Sequence, residues 1–254
     1  SNDYTVEFGE RYFPNLRLVR ETDEFERPSH TWVYESQEIG SYVDYDLLVE
    51  TYTEGVDGRT LYELLGRTTI QDYGLTYYVD GVVTTLNKND LVRSNTQDVG
   101  ATGNGVLTQV FVDHDDEEII ITSINTYLAQ ANADYSESTE TVSLNVFTTE
   151  DGVTRTVDSV DVPEAADVTA DQFMLVNMSG KDRTNNRLEV VKISDVEIIT
   201  DATVTKFSTS GGGDATGEES LFTEVTADGE AYSANAEAHY DVDVLNLYDN
   251  SLLT

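Results

Sequence analysis

Side chains able to do chemistry are most concentrated in VFVDHDDEEIIITSINTYL, residues 110–128. Five carboxylates surround one histidine there: Asp113, His114, Asp115, Asp116, Glu117 and Glu118. Oxygens of Asp113 and Asp115 suit a hard cation, but such cations do not favour imidazole, and the segment lacks a glycine-containing calcium loop. The flanking runs GVLTQVFV and IIITSINTYL are rich in β-formers. We therefore predict a solvated hairpin tip, with a weak cation site at 113–118 as the alternative.

The other two histidines do not form a catalytic pattern. His30 lies in RPSHTWVY, and His239 lies in AEAHYDVDV close to Asp241. A His–Asp pair belongs to a triad only when the fold brings a nucleophile to it, which spacing alone cannot show. The chain also lacks the motifs G-x-S-x-G, H-E-x-x-H and paired C-x-x-C. We therefore predict no catalytic residue, no bound metal and no cofactor.

Basic residues are concentrated near the start of the chain. Four of the arginines, at positions 11, 17, 20 and 27, lie in the first 27 residues, and RYFPNLRLVR contains no acid. Arginine and aromatic side chains are favoured in protein interfaces. We predict that this strip contacts a neighbouring subunit or anionic lipid through Arg11, Tyr12, Phe13, Arg17 and Arg20. The alternative is internal pairing with the acids of ETDEFE, residues 21–26.

The overall charge predicts a protein adapted to concentrated salt. Asp and Glu total 49 in 254 residues against 14 Lys and Arg, which gives a formal net charge of −35. Such a charge destabilises a compact state by self-repulsion, but at molar salt the Debye length is only about 3 Å. A hydrophobic content of 39% is too high for a disordered acidic chain. Because nucleic acid needs a basic footprint, no direct nucleic-acid binding is expected.

The sequence has no sign of a membrane span or a leader. No apolar run approaches about 18 residues, so no transmembrane helix is expected. The first residues, SNDYTVEF, lack the charged and apolar regions of a signal peptide. The chain has no cysteine, so the sequence does not indicate whether the protein belongs to an oxidising or a reducing compartment.

Alternation with a period of two dominates the rest of the chain and indicates β-strands. In SYVDYDLLVET it predicts one strand whose buried face carries Val43, Tyr45, Leu47 and Val49. VSLNVF from residue 142 and YDVDVLNLY from residue 240 repeat the pattern, and the second changes parity at Leu245, which suggests a bulge. The predicted fold class is therefore all-β, a jelly roll or β-sandwich.

Turn signals separate these runs. Asp80-Gly81 and Asp151-Gly152 each lie between β-rich segments and predict two-residue hairpins. RTLYELLGR, residues 59–67, predicts the only short helix, with Gly66 near its end.

About eight β-rich runs precede residue 128 and about seven follow residue 140. The polar segment AQANADYSESTE, residues 129–140, predicts a linker or crossover between a first barrel or sandwich at 1–128 and a second at 141–254. One elaborated barrel over 1–254 is the alternative.

The glycine-rich segment STSGGGDATGEES, residues 208–220, predicts a flexible loop. It has no lysine and no following helix, so it does not fit a phosphate-binding loop.

An acidic, cysteine-free chain of this size, with strand patterns throughout and a start at SNDYTVEF, resembles the major capsid proteins of icosahedral haloarchaeal viruses with an internal membrane. That resemblance implies upright jelly-roll barrels, two of them stacked in the larger kind of subunit, and no catalysis. It implies location in the virion, with copies of the same chain, other capsid proteins and an underlying lipid membrane as partners.

Two other classes share this composition. A tail-tube or turret protein of a tailed haloarchaeal virus is one alternative, and a β-sandwich of an archaeal cell surface or pilus is the other. A hydrolase comes third, because no motif supports it.

Overall fold

The computed structural model describes residues 15–103, 105–148, 152–196, 201–210 and 221–233. Sixteen strands and two short α-helices lie within these ranges, with three short 3-10 turns. The predicted all-β class, a sandwich with few helices, is confirmed.

The elements as far as residue 125 are β1 (Leu16–Thr22), β2 (Pro28–Tyr34), β3 (Gln37–Val43), β4 (Leu48–Tyr52), α1 (Gly58–Leu65), α2 (Arg67–Asp72), β5 (Gly74–Val79), β6 (Val82–Thr84), β7 (Val106–Asp113) and β8 (Glu118–Asn125). The later strands are β9 (Tyr127–Ala131), β10 (Thr141–Val146), β11 (Val153–Asp158), β12 (Phe173–Ser179), β13 (Glu189–Asp195), β14 (Val204–Ser210), β15 (Leu221–Ala227) and β16 (Glu230–Ser233).

The chain forms two compact units. The first takes its described residues from Ser1–Thr102, Leu107–Ile124 and Ser179–Leu188, and the second from Gly103–Val106, Asn125–Met178 and Glu189–Thr254. The segment at 129–140, predicted as a linker, lies within the second unit, where it covers the end of β9 and the connection to β10.

The described part of the first unit contains two sheets. Strands β1, β2 and β3 form an antiparallel sheet in that order. Strands β4, β7, β8, β5 and β6 form a five-stranded sheet in that order, in which β5 runs parallel to β8. A parallel pair requires a long crossover connection, and here the connection includes β6 and β7.

The core of the first unit joins the two helices to the five-stranded sheet. Leu61 and Leu65 of α1 and Ile70 of α2 are buried in one cluster with Ile119 and Ile121 of β8. Strands β7 and β8 are buried along most of their length because they are central in the sheet.

The helix predicted at 59–67 is present as α1. Its N-cap is Asp57, whose side-chain oxygen accepts the backbone N–H of Thr60 at 2.7 Å. Gly66 ends the helix with a φ of 77°, in the left-handed region that favours glycine.

The sequence predicts no further helix, but α2 follows α1 directly. Its segment RTTIQD contains one apolar residue and therefore has no clear helical period.

The hairpin predicted at Asp80-Gly81 is confirmed. Both residues have positive φ, 49° and 70°, which is the type I′ geometry that joins β5 to β6. A Cβ at Gly81 would also lie 2.5 Å from the carbonyl oxygen of Glu24 and 2.6 Å from Oγ of Ser179. Glycine is therefore required here by both conformation and space. At the second predicted hairpin, Asp151 lies outside the described residues.

One predicted strand is wrong. The alternation in SYVDYDLLVET predicts a single strand, but the chain leaves β3 at Val43 and begins β4 at Leu48 in the other sheet. Tyr45 is 60% exposed, contrary to its predicted burial. Oδ1 of Asp44 accepts the N–H of Asp46 at 3.1 Å, and this local turn interrupts the alternation.

The second unit also contains two described sheets. One has the order β11-β10-β9-β12-β13, and the other β14-β15-β16. The alternation in VSLNVF is confirmed, since Val142, Leu144 and Val146 of β10 are all buried. The loop predicted at 208–220 begins inside β14, and its part from 211 to 220 lies outside the described residues, as does the pattern at 240–248.

Candidate functional site

The acidic segment at 113–118 lies at the end of the β7–β8 hairpin. Residues 114–117 form its turn and are exposed, as predicted for a solvated tip. Asp113 is different, because it is only 5% exposed and its Oδ1 accepts the backbone N–H groups of Asp115 and Asp116 at 2.9 and 3.1 Å. The prediction of a solvated side chain is therefore wrong for Asp113, which holds the turn together.

The buried carboxylate of Asp113 also binds an arginine of the predicted contact strip. The guanidinium of Arg20 donates to Oδ2 of Asp113 and, at 3.0 Å, to Oδ2 of Asp116. The hydrogen bond from Arg20 lowers the pKa of Asp113, helped by the backbone N–H groups of Asp116 and Asp115. The same bond raises the pKa of Arg20. Arg20 is thus paired within the chain, although its partners lie at 113 and 116 rather than within 21–26.

The rest of the strip divides between different environments. Arg17 is exposed on β1 and has no ion pair among the residues that the structure describes. Arg27 pairs with Asp23 at 2.7 Å, which matches the alternative of internal pairing with residues 21–26. Arg11, Tyr12 and Phe13 lie outside the described residues.

Two histidines make polar contacts. Nδ1 of His114 lies 2.9 Å from the hydroxyl of Tyr73, and Nε2 of His30 lies 2.9 Å from Oδ2 of Asp44. His239 lies outside the described residues.

Over the described ranges, no three His, Asp or Glu side chains are grouped so that they could hold a metal ion. Within the same ranges, no helix is both long and apolar enough to cross a membrane.

In the described part of the chain, β3 is an end strand with exposed side chains, a feature that was not predicted from the sequence. This strand is at one end of the β1–β2–β3 sheet, and its residues from Gln37 to Tyr42 are all exposed. Ile39 is 60% exposed and Tyr42 is 41% exposed. The surrounding sequence, SQEIGSY, is mostly polar and small, so an isolated isoleucine was the one available signal.

Comparison with known proteins finds no matching family model, no matching curated protein and no matching solved structure. The function of this chain therefore has to be inferred from its own residues.

Proposed function

We propose that this protein is a structural subunit of a haloarchaeal virus particle, a capsid protein that assembles with copies of itself in concentrated salt. The proposal places it in the virion, beside other capsid proteins and over a lipid membrane, and gives it no catalytic role. It rests on the resemblance stated above and on one structural observation, the exposed strand β3.

The exposed apolar side chains of strand β3 are the observation that supports the proposal best. Among the described residues, β3 ends its sheet, and a strand in that position with exposed apolar side chains favours association with another chain. Ile39 is the extra residue of a bulge, since Glu38 pairs with Val33 and Gly40 pairs with Trp32. A bulge interrupts the backbone ladder of an edge. We therefore expect the contact to use the side chains of Ile39 and Tyr42 more than a continuous ladder of hydrogen bonds.

Charge sets the conditions under which such contacts can form. Copies that each have a net charge of −35 repel one another in dilute salt, and molar salt screens this repulsion within about 3 Å. Arg17 is exposed on β1, the other end of the same sheet, and a guanidinium can bind a carboxylate of a neighbouring copy in two parallel hydrogen bonds. Contacts are thus expected at both ends of this sheet.

Sedimentation velocity at molar KCl tests the proposal. The double variant Ile39→Ser Arg17→Gln should remain folded by circular dichroism and lose the assembled species. The matched control is Val160→Ser Arg183→Gln, which also replaces one exposed aliphatic residue by serine and one exposed arginine by glutamine, with Val160 being 74% exposed.

Assembly that is unchanged in the first variant, or lost equally in the control, would contradict the proposed contacts. A wild-type protein that stays monomeric at all salt concentrations would contradict self-assembly itself. Electron microscopy of the assembled species separates the classes, since a capsid subunit should give closed shells or sheets, and a tail-tube or pilus protein should give tubes or filaments.

A further inference from the structure

A cavity beside the two helices has a composition unlike that of the rest of the chain. It has a volume of about 650 Å³ and is lined by residues of α1, α2 and the segment 88–94. Three of its lining residues are bases, Arg67, Lys88 and Arg93, and none of the described residues that line it is acidic. In a chain with 49 acids and 14 bases, this is a local reversal of charge.

The three cations remain available to a ligand to different degrees. In the part of the chain that the structure describes, none of them lies within ion-pair distance of a carboxylate. Nζ of Lys88 donates to the carbonyl oxygen of Tyr73, and this hydrogen bond holds the lysine ammonium group at the cavity wall. The guanidinium carbon of Arg93 lies 5.6 Å from the centre of the Tyr62 ring, a cation–π distance, and Arg67 is exposed.

The cavity also has an apolar surface. The half-buried residues Tyr62 and Val92 supply most of it, since Ile70 and Leu91 also line the cavity but are only 5% and 1% exposed. Sites for small ligands combine a mostly apolar wall with a few polar groups that fix orientation, and their volumes run from about 300 to about 1,000 Å³. The cavity fits this description.

We propose that this cavity binds a small organic anion, with its phosphate or carboxylate held by Arg67 and Arg93 near Lys88. The apolar or planar body of the ligand would pack on Tyr62 and Val92. Molar salt screens attraction at a distance, so a bare ion would bind weakly, whereas a ligand with direct guanidinium hydrogen bonds and apolar contacts can persist. This assignment does not depend on the proposed assembly.

Isothermal titration calorimetry at molar KCl tests the site with defined probes. Comparing phenyl phosphate with benzoate shows whether the site prefers a phosphate or a carboxylate. Inorganic phosphate tests an anion without an apolar body, and benzyl alcohol tests an aromatic body without a charge. We expect at least one aromatic anion to bind at one site, about tenfold more tightly than inorganic phosphate and benzyl alcohol. Arg67→Gln and Arg93→Gln should each weaken this binding by about tenfold or more.

The control Arg183→Gln removes another exposed arginine of the same unit, one that does not line the cavity, and should leave binding unchanged. Arg67→Lys keeps the charge without the planar fork, and it replaces Arg67→Gln if that variant fails to fold. The assignment is overturned if neither aromatic anion binds, or if Arg183→Gln weakens binding as much as the cavity variants. It is also overturned if the anions bind only to the assembly-deficient variant, because an acidic segment of a second copy would then be the occupant.

Discussion

Arg20 on β1 and Asp113 at the end of β7 form an ion pair that joins the β1–β2–β3 sheet to the tip of the β7–β8 hairpin. The two residues are 93 positions apart in the sequence. The side chain of Asp113 is 6% exposed and that of Arg20 is 49% exposed, so the carboxylate is the buried partner. This pair gives one of the predicted contact arginines a role inside the first unit.

Replacing either partner should therefore destabilise the protein. Arg20→Gln and Asp113→Asn should each lower the free energy of unfolding by about 1.5 to 3 kcal/mol, the range for a hydrogen bond to a charged group. Asp115→Asn, at an exposed position of the same turn, should have little effect. Urea unfolding at constant molar salt measures all three variants, and equal values for Asp113→Asn and Asp115→Asn would contradict the buried role of Asp113.

The same pair predicts a dependence on acid pH. Because the pKa of Asp113 is lowered in the folded state, its contribution to stability is complete above its unfolded pKa of about 3.9 and is lost as pH falls through the lower folded pKa. The difference in unfolding free energy between wild type and Arg20→Gln should shrink as pH falls below about 4. Since other carboxylates titrate in this range, the measurement is a double-mutant cycle with Asp113→Asn. A coupling between the two residues that does not change with pH would contradict the assignment.

Gly100 should tolerate no side chain. Its φ is 64°, and an added Cβ would lie 2.6 Å from the hydroxyl oxygen of Tyr77. That ring cannot move freely, since Tyr77 is 2% exposed and its hydroxyl accepts the N–H of Ala101 at 2.7 Å. Gly66→Ala is the matched control, because Gly66 has a φ of 77° but no atom within 4 Å of the position that a Cβ would take.

The control should therefore show only its backbone strain, about 1 to 3 kcal/mol for a non-glycine residue in this conformation, and Gly100→Ala should lose more because the contact with Tyr77 adds to its own strain. Urea unfolding of both variants at the same molar salt compares the two losses directly. Equal losses would show that the contact with Tyr77 is unimportant.

Lys181 should stabilise the turn between β1 and β2. Its Nζ donates to the carbonyl oxygens of Thr22 and Asp23 at 2.7 and 2.9 Å and to Oγ1 of Thr22 at 2.9 Å. Lys181→Met removes these bonds and should lower the unfolding free energy by about 1 to 3 kcal/mol. Lys192→Met makes the same change at an exposed position and should be nearly neutral, which thermal unfolding can check. A neutral result for both variants would contradict the role of Lys181.

Stability should rise steeply with salt. With a net charge of −35, self-repulsion opposes folding in dilute buffer and is screened at molar KCl or NaCl. We expect the thermal midpoint to increase over this range and the unfolding of Arg20→Gln to follow the same slope, because one ion pair changes little in a repulsion that the net charge of the whole chain sets. A midpoint that is indifferent to salt would contradict adaptation to concentrated salt.

Local sequence patterns predicted the features that depend on neighbouring residues. The two-residue hairpin at Asp80-Gly81, the alternation of Val142, Leu144 and Val146, and the helix predicted at 59–67 are all set within a few residues. Each depends on φ preferences or on the period of the backbone, which a short segment is sufficient to determine. The exposed tip at residues 114–117 was predictable for the same reason.

Tertiary structure decided what depends on residues distant in the chain. The partner of Arg20, the parallel pairing of β5 with β8, and the grouping of Arg67, Lys88 and Arg93 around one cavity leave no local pattern. The predicted strand through Asp44 is wrong because the hydrogen bond from the N–H of Asp46 to Oδ1 of Asp44 stabilises a turn there. The alternation of apolar residues does not indicate that turn. Sequence composition determined the net charge of this protein, but the fold determined which of its few cations are paired internally and which face solvent, since pairing depends on distance in space.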